Sequence, residues 1–179
     1  GGVDMPERAF DEHCLVELSD GRLWMTVRTT YGIGQAFSSD GGRTWENVGP
    51  SGHTGPNARF FVRRLKSGRL IMVNHLNPSY QTSPQTWNAR NNLVAMLSDD
   101  DGKTWKGALV LDTRNEISYP DGVQAENGDI YVIYDYERYG AREILMAVFT
   151  EEDILEGRLV SPRGRLRQRV NQATGERAQ

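Results

Sequence analysis

The sequence predicts an all-β protein that holds about three blades of a β-propeller. Two repeats carry this reading. The pattern Ser-x-Asp-x-Gly-x-Thr-Trp occurs twice, as Ser38, Asp40, Gly42, Thr44 and Trp45 and again as Ser98, Asp100, Gly102, Thr104 and Trp105. A glycine turn between two apolar runs occurs three times, in "VELSDGRLWMTVR", "VRRLKSGRLIMVNH" and "GVQAENGDIYVIYD". Four-stranded units that recur every few tens of residues, strand after strand, are the mark of a propeller.

Each unit is built the same way. The glycine turn (Ser-Asp-Gly, Lys-Ser-Gly or Asn-Gly) joins two short strands as a hairpin. Seven residues past each turn glycine the apolar run ends on a polar side chain: Arg28 after Gly21, His75 after Gly68, and Asp135 after Gly128. A less regular loop follows, then a third apolar run: "GQAFSS", "NLVAMLS" or "EILMAVF". In the first two units this run enters the Ser-x-Asp-x-Gly-x-Thr-Trp turn. An Asp there accepts from the amides that follow it, Gly takes positive φ, and Ser and Thr close the loop. The Trp is expected to plug the gap between neighbouring sheets. The turn is therefore structural, and the acidic run Asp99-Asp100-Asp101 is not read as a metal site.

Three blades do not close a ring, so half or more of the propeller is expected upstream of residue 1. The sheet pattern ends at "TEEDILEG". Thr150 and Asp153 suit a capping box and Gly157 suits the position past a helix end, which predicts one or two helical turns. Residues 1–160 are thus assigned to the propeller. The remainder, 161–179, carries five Arg and few apolar residues and is expected to be a poorly ordered basic tail.

Bulk properties exclude some classes. A net charge of −3, with 37% hydrophobic and 25% charged residues, argues against a nucleic-acid partner. No apolar run approaches the roughly 20 residues needed to span a bilayer. The single cysteine, Cys14, forbids an internal disulfide. No signal-peptide pattern opens the chain.

The segments around the two turns resemble the sialidase superfamily, whose Asp box is similar to the Ser-x-Asp-x-Gly-x-Thr-Trp turn. "EHCLVELSDGRLWMTVR" resembles the stretch in which a catalytic Glu stands sixteen residues before an active-site Arg, here Glu12 and Arg28. "ARNNLVAMLSDDDGKTW" resembles the stretch with the next active-site Arg, here Arg90. "ISYPDGVQAENGDIYVIYD" resembles the stretch that opens with the nucleophilic Tyr, here Tyr119. The resemblance spans about residues 10 to 155. It implies a six-bladed propeller, an exo-acting retaining glycoside hydrolase, a sialylated or other acidic glycan as substrate, and neither cofactor nor metal. It also implies a first Arg of a triad and an acid Asp, both expected upstream, so the isolated chain is expected to be inactive. Such substrates point to a secreted or periplasmic location.

The residue types suit that chemistry. Arg binds a sugar carboxylate through a planar fork and keeps its charge. A carboxylate nucleophile would be repelled by the substrate's own carboxylate, which favours a neutral Tyr. A phenol needs a base, the role of Glu12. Tyr31, Gln35, His75, Asn77, Asp121 and Asp135 are candidate pocket residues. Glu137 and Arg138 read as a surface ion pair. Three departures from the family pattern stand out: the compact loop "TTYGIGQAF", "SYPD" after the nucleophile position, and Asp135 where Glu is usual. A hydrolase for another acidic sugar, such as a uronic acid, and a non-catalytic carbohydrate-binding propeller are the competing readings.

Overall fold

The computed structural model describes residues 2–76 and 90–175. Twelve strands form three antiparallel sheets of four. The first holds β1 (Arg8–Glu17), β2 (Leu23–Thr29), β3 (Gly32–Ser38) and β4 (Glu46–Pro50) in chain order. The second holds β5 (Phe61–Arg64), β6 (Leu70–His75), β7 (Leu93–Ser98) and β8 (Lys106–Asp112). The third holds β9 (Ile117–Gln124), β10 (Ile130–Tyr136), β11 (Glu143–Phe149) and β12 (Arg165–Gln172), with α1 (Glu151–Glu156) between the last two. Strand β1 touches β5 and β5 touches β9, so the first strands of the blades line one side together. This is the all-β, partial propeller that the repeats predict.

The three glycine turns are one structure used three times. Leu18, Leu65 and Ala125 each donate to the carbonyl four residues on, at 2.7, 2.8 and 2.8 Å. Each also accepts from the turn glycine, at 3.0, 3.0 and 3.1 Å. Gly21, Gly68 and Gly128 have φ of 83°, 87° and 89°, a region that other residues enter at a cost.

The Ser-x-Asp-x-Gly-x-Thr-Trp turns also match each other bond for bond. Asp40 accepts from Ser38 Oγ, Thr44 N and Thr44 Oγ1 at 2.9, 2.9 and 2.7 Å. Asp100 accepts from Ser98 Oγ, Thr104 N and Thr104 Oγ1 at 2.8, 2.8 and 2.6 Å. Each Ser Oγ in turn accepts from Gly42 N or Gly102 N. Trp105 packs against the core between the first two blades, and its indole N–H donates to His53 Nε2 at 3.2 Å. Trp45 packs on Met5, Val27 and Ala36 on the other face of the first blade. Each carboxylate of the acidic run has its own protein donors. Asp99 takes Arg69 and Lys106, and Asp101 takes Ser19 and Arg64, which ties the second blade's turn to the first blade's hairpin.

Apolar cores fill the gaps between blades. Val16, Leu18, Trp24, Ile33, Phe60, Val62, Leu70 and Met72 join the first two. Ile71, Val73, Leu97, Val132, Leu145, Phe149 and Ile154 are part of the larger cluster joining the second and third. Helix α1 supplies Ile154 to it. Thr150 and Asp153 make the expected capping box, and Gly157 closes the helix at φ 66°. Among the described residues no helix is long and apolar enough to cross a membrane.

The basic tail is a correction. Residues 165–172 are not a poorly ordered arm but β12, the fourth strand of the third blade, paired with β11. Its side chains are almost all exposed because it is an outer edge strand, so no hydrophobic alternation marks it. Arginines on such an edge also discourage strand addition by another chain. Arg163 anchors the strand's approach through Asp129, at 2.6 and 2.9 Å.

Candidate active site

The glycine turns sit at one end of the molecule. The polar residues that end the second strands lie seven residues further on, about 23 Å away along an extended chain. The candidate chemistry gathers at that far end, on the first strands and the loops that enter them.

Tyr119, on β9, donates its hydroxyl to Glu12 Oε1, on β1, at 2.6 Å across 107 residues of sequence. The other carboxylate oxygen of Glu12 accepts from Arg28 Nη1, on β2, at 2.8 Å. Arg28 is 1% exposed and Glu12 19%. Burial pushes the Glu12 carboxyl up, but the hydrogen bonds from Tyr119 and Arg28 outweigh it and hold the group below the ordinary glutamate range. Glu12 is thus a carboxylate that accepts the phenolic proton's hydrogen bond while a guanidinium steadies its other oxygen.

A backbone irregularity aims Tyr119. Between β9 and β10, Asp121 faces Ile133 and Ser118 faces Asp135, so Tyr119 and Pro120 together oppose Tyr134. Tyr119 sits in this bulge at φ 56°. A β-bulge at such a place re-aims one side chain out of the ladder, and a left-handed Tyr is held there at some cost in backbone strain.

Arg90 enters from the loop before β7. Its side chain is buried, with Nη1 on Ser118 Oγ at 3.2 Å and Nη2 on the Asn57 carbonyl at 3.0 Å. Its own carbonyl accepts from Ile117 N, so it is tied to the strand that bears Tyr119. Asn57 also serves Arg28, through its side-chain oxygen at 2.7 Å and its carbonyl at 2.8 Å. Phe10, 44% exposed, lies over the Arg28 guanidinium at 4.1 Å.

The four residues singled out by resemblance therefore meet. Most of the other pocket candidates do not join them. Tyr31 turns its hydroxyl to Met5 Sδ, on the sheet face opposite Arg28. Gln35 accepts from the Trp24 indole within the blade. His75 is fully buried, its Nδ1 on the Asn91 carbonyl at 3.0 Å, and burial pushes its pKa down to about 4. Asp121 is exposed and approaches Arg59 at 3.9 Å. Asn77 lies outside the described residues. Asp135 does reach the cluster, where burial pushes its carboxyl up despite Arg138.

Sequence reasoning paired Arg138 with Glu137, and the structure corrects it. Arg138 binds Asp135 Oδ2 at 2.8 and 2.5 Å and lies over the Tyr119 ring at 4.2 Å. Glu137 instead accepts from Tyr136 and Ala141. Asn57 was missed altogether. Its only signal was its place just before the second blade, in "TGPNARFF". A groove of about 730 Å³ runs between Cys14–Ser19 and Arg59–Arg64 as far as Asp121, and it is lined by none of Glu12, Arg28, Arg90 and Tyr119.

The fold is a partial β-propeller of sialidase type. The model of the BNR repeat-like domain matches residues 10–132, and the chain belongs to that family. Sialidases of two Vibrio cholerae serotype O1 strains are 29% identical to it over 151 residues, which is 75% of this chain and 19% of theirs. The chain therefore spans about a fifth of the length of these curated relatives. Among solved structures, the α-L-arabinofuranosidase Arb93A of Fusarium graminearum superposes with a TM-score of 0.50 at 16% identity, covering 83% of this chain and 48% of that one. The Hadza microbial sialidase Hz136 does so with a TM-score of 0.50 at 16% identity, covering 87% and 34%. At such identities these two likenesses concern the fold alone.

Proposed function

We propose that this chain carries the C-terminal part of the active site of a retaining, exo-acting glycoside hydrolase of sialidase type. The observation that carries the reading is the Tyr119–Glu12–Arg28 relay, assembled from three strands of two blades. Tyr119 Oη attacks the anomeric carbon while its proton passes to Glu12 Oε1. An acid outside this set protonates the departing oxygen. Water then attacks the same carbon from the face opposite Tyr119 and gives its proton to the outside acid, now deprotonated, while the bond to Tyr119 breaks and Glu12 returns its proton to the phenolate. Two inversions give retention. Arg28 and Arg90 provide the positive field in which a sugar carboxylate binds, Arg90 directly and Arg28 also through its hold on Glu12.

The relay faces one large cost. Between a free phenol near pKa 10 and a free glutamic acid near 4.3, proton transfer is uphill by about six units, or about 8 kcal/mol.

The test is hydrolysis of a fluorogenic sialoside by the full-length protein beside its Tyr119→Phe variant. Turnover should fall by about a thousandfold or more in the variant. A folded parent that ignores the sialoside overturns the reading. Two arginines select for a carboxylate rather than for one particular sugar, so turnover of a uronoside instead would favour a hydrolase of another acidic sugar, and tight binding without turnover a carbohydrate-binding propeller.

A further inference from the structure

Arg138 has a geometry that the reaction above does not use. It stands on the turn after β10 with its side chain 42% exposed. A long cation at such a site ordinarily keeps its rotamer freedom in water. This one is fixed twice. Its Nε and Nη2 converge on one oxygen of Asp135, whose side chain is 14% exposed and sits opposite Ser118, the neighbour of Tyr119. Its guanidinium carbon lies 4.2 Å from the centre of the Tyr119 ring. The turn beneath it is also held: Gly140 N and Arg142 N both donate to the Glu137 carbonyl, at 2.9 and 2.8 Å, and Glu137 N donates to Glu116.

We propose that Arg138 is a positioning residue for Tyr119, clamping the ring in its bulge and stabilising the phenolate as its proton moves to Glu12. The inference rests on the function proposed above. Its physical basis is the ring itself. A cation over an aromatic face is attracted by the ring's negative quadrupole. That attraction grows when the hydroxyl becomes O⁻ and the ring gains electron density. The interaction is therefore stronger in the state that attacks than in the resting phenol, the condition under which a contact speeds a step. Asp135 keeps the guanidinium on the ring and away from Glu12, which already has Arg28. Two guanidiniums thus bear on Tyr119, Arg28 through Glu12 and Arg138 through the ring face, while Arg90 is held on Ser118, the residue before it.

The experiment uses the full-length protein and its Arg138→Met and Arg138→Lys variants, each with and without Tyr119→Phe. The first readout is the rise of tyrosinate absorbance with pH, the share of Tyr119 being taken by difference. In Arg138→Met this share should move to higher pH by about half to one unit, and Arg138→Lys should restore most of the shift. The second is turnover of the fluorogenic sialoside, where Arg138→Met should lower kcat about five- to tenfold with KM moved less than about twofold. An unmoved titration in a folded Arg138→Met protein overturns the inference, and so does an equal shift in the Met and Lys variants. If the titration moves as expected and the parent ignores the sialoside, the role of Arg138 stands and the sugar assignment falls.

Discussion

Arg28 and Arg90 donate to one acceptor, the backbone carbonyl of Asn57, at 2.8 and 3.0 Å. Two like charges are held close because a carbonyl dipole sits between them and because Glu12 and Ser118 take other donors of the pair. Asn57 adds its side-chain oxygen to Arg28 Nε. Asn57→Ala leaves the shared carbonyl and deletes that oxygen. A buried charged donor then loses an acceptor, at about 1–3 kcal/mol. The midpoint of thermal unfolding should drop by about 2–4 °C for each of those kcal/mol. On the proposed function KM for the sialoside should rise, and Asn57→Asp, which keeps an acceptor, should recover stability. Calorimetry and steady-state kinetics on the two variants decide this, and an Asn57→Ala protein as stable as the parent would refute the role of the side-chain oxygen.

Glu12 gives a pH prediction. Its folded pKa is depressed by hydrogen bonds from Tyr119 and Arg28 that outweigh burial. The carboxylate proposed as the base should then persist below the ordinary glutamate value of about 4.3. The acid limb of kcat/KM should lie below that pH. In Tyr119-retaining Arg28→Met the burial remains and the stabilising charge is gone, so the limb should move upward. A limb that stays in place would separate Glu12 from the pH dependence.

Much of this was legible in the chain. The hairpin glycines and both Asp turns could be read because their conformations demand particular residues at fixed offsets, and the capping box of α1 for the same reason. Glu12, Arg28, Arg90 and Tyr119 were visible by resemblance, and the structure brings them together. What was not legible follows from physics that leaves no local trace. Asn57 acts largely through its carbonyl, which every residue has. Arg138 chose Asp135 over its sequence neighbour Glu137 because the turn points Glu137 back at its own backbone. Tyr31 and His75 were candidates by their place after a strand, yet one turns to the far face and the other is buried outright. Strand β12 was invisible because an outer edge strand needs little apolar surface.

The Asp turns predict a dependence at low pH. Hydrogen bonds from Thr44 and Thr104 are the chief cause that holds Asp40 and Asp100 at about 2. The unfolded value is near 4. A carboxylate whose folded pKa is depressed stabilises the fold above the unfolded value, and that stability fades as pH falls toward the folded one. Asp100→Asn should therefore be less stable than the parent at neutral pH, with the difference shrinking from about pH 4 down to about 2. Denaturant unfolding at a series of pH values measures it. A difference independent of pH would assign the loss to packing alone.

His75 acts in a higher window. It is fully buried, and burial depresses its pKa to about 4 from about 6.5. The neutral ring is the folded form. Stability should be complete above about pH 6.5 and fall as pH drops toward 4, by an amount of order 3 kcal/mol. His75→Asn removes this titration. Its stability should be lower at neutral pH yet flatter between those limits, and a parent-like slope in the variant would show that another group carries the proton.

The last prediction concerns the strand the composition concealed. Ending the chain at residue 160 removes β12 and leaves β11 as an exposed edge, with the ladder from Glu143 to Val148 unpaired. It also removes Arg163, the partner of Asp129, and uncovers the core where Leu166 packs. A blade of three strands with a bare apolar edge invites pairing with other chains. The truncated protein should unfold at lower temperature and aggregate at concentrations where the intact chain stays dispersed. Light scattering beside thermal unfolding tests both. Were residues 161–179 a loose tail, removing them would change neither measurement, so parent-like behaviour of the truncated chain would contradict a structural role for β12.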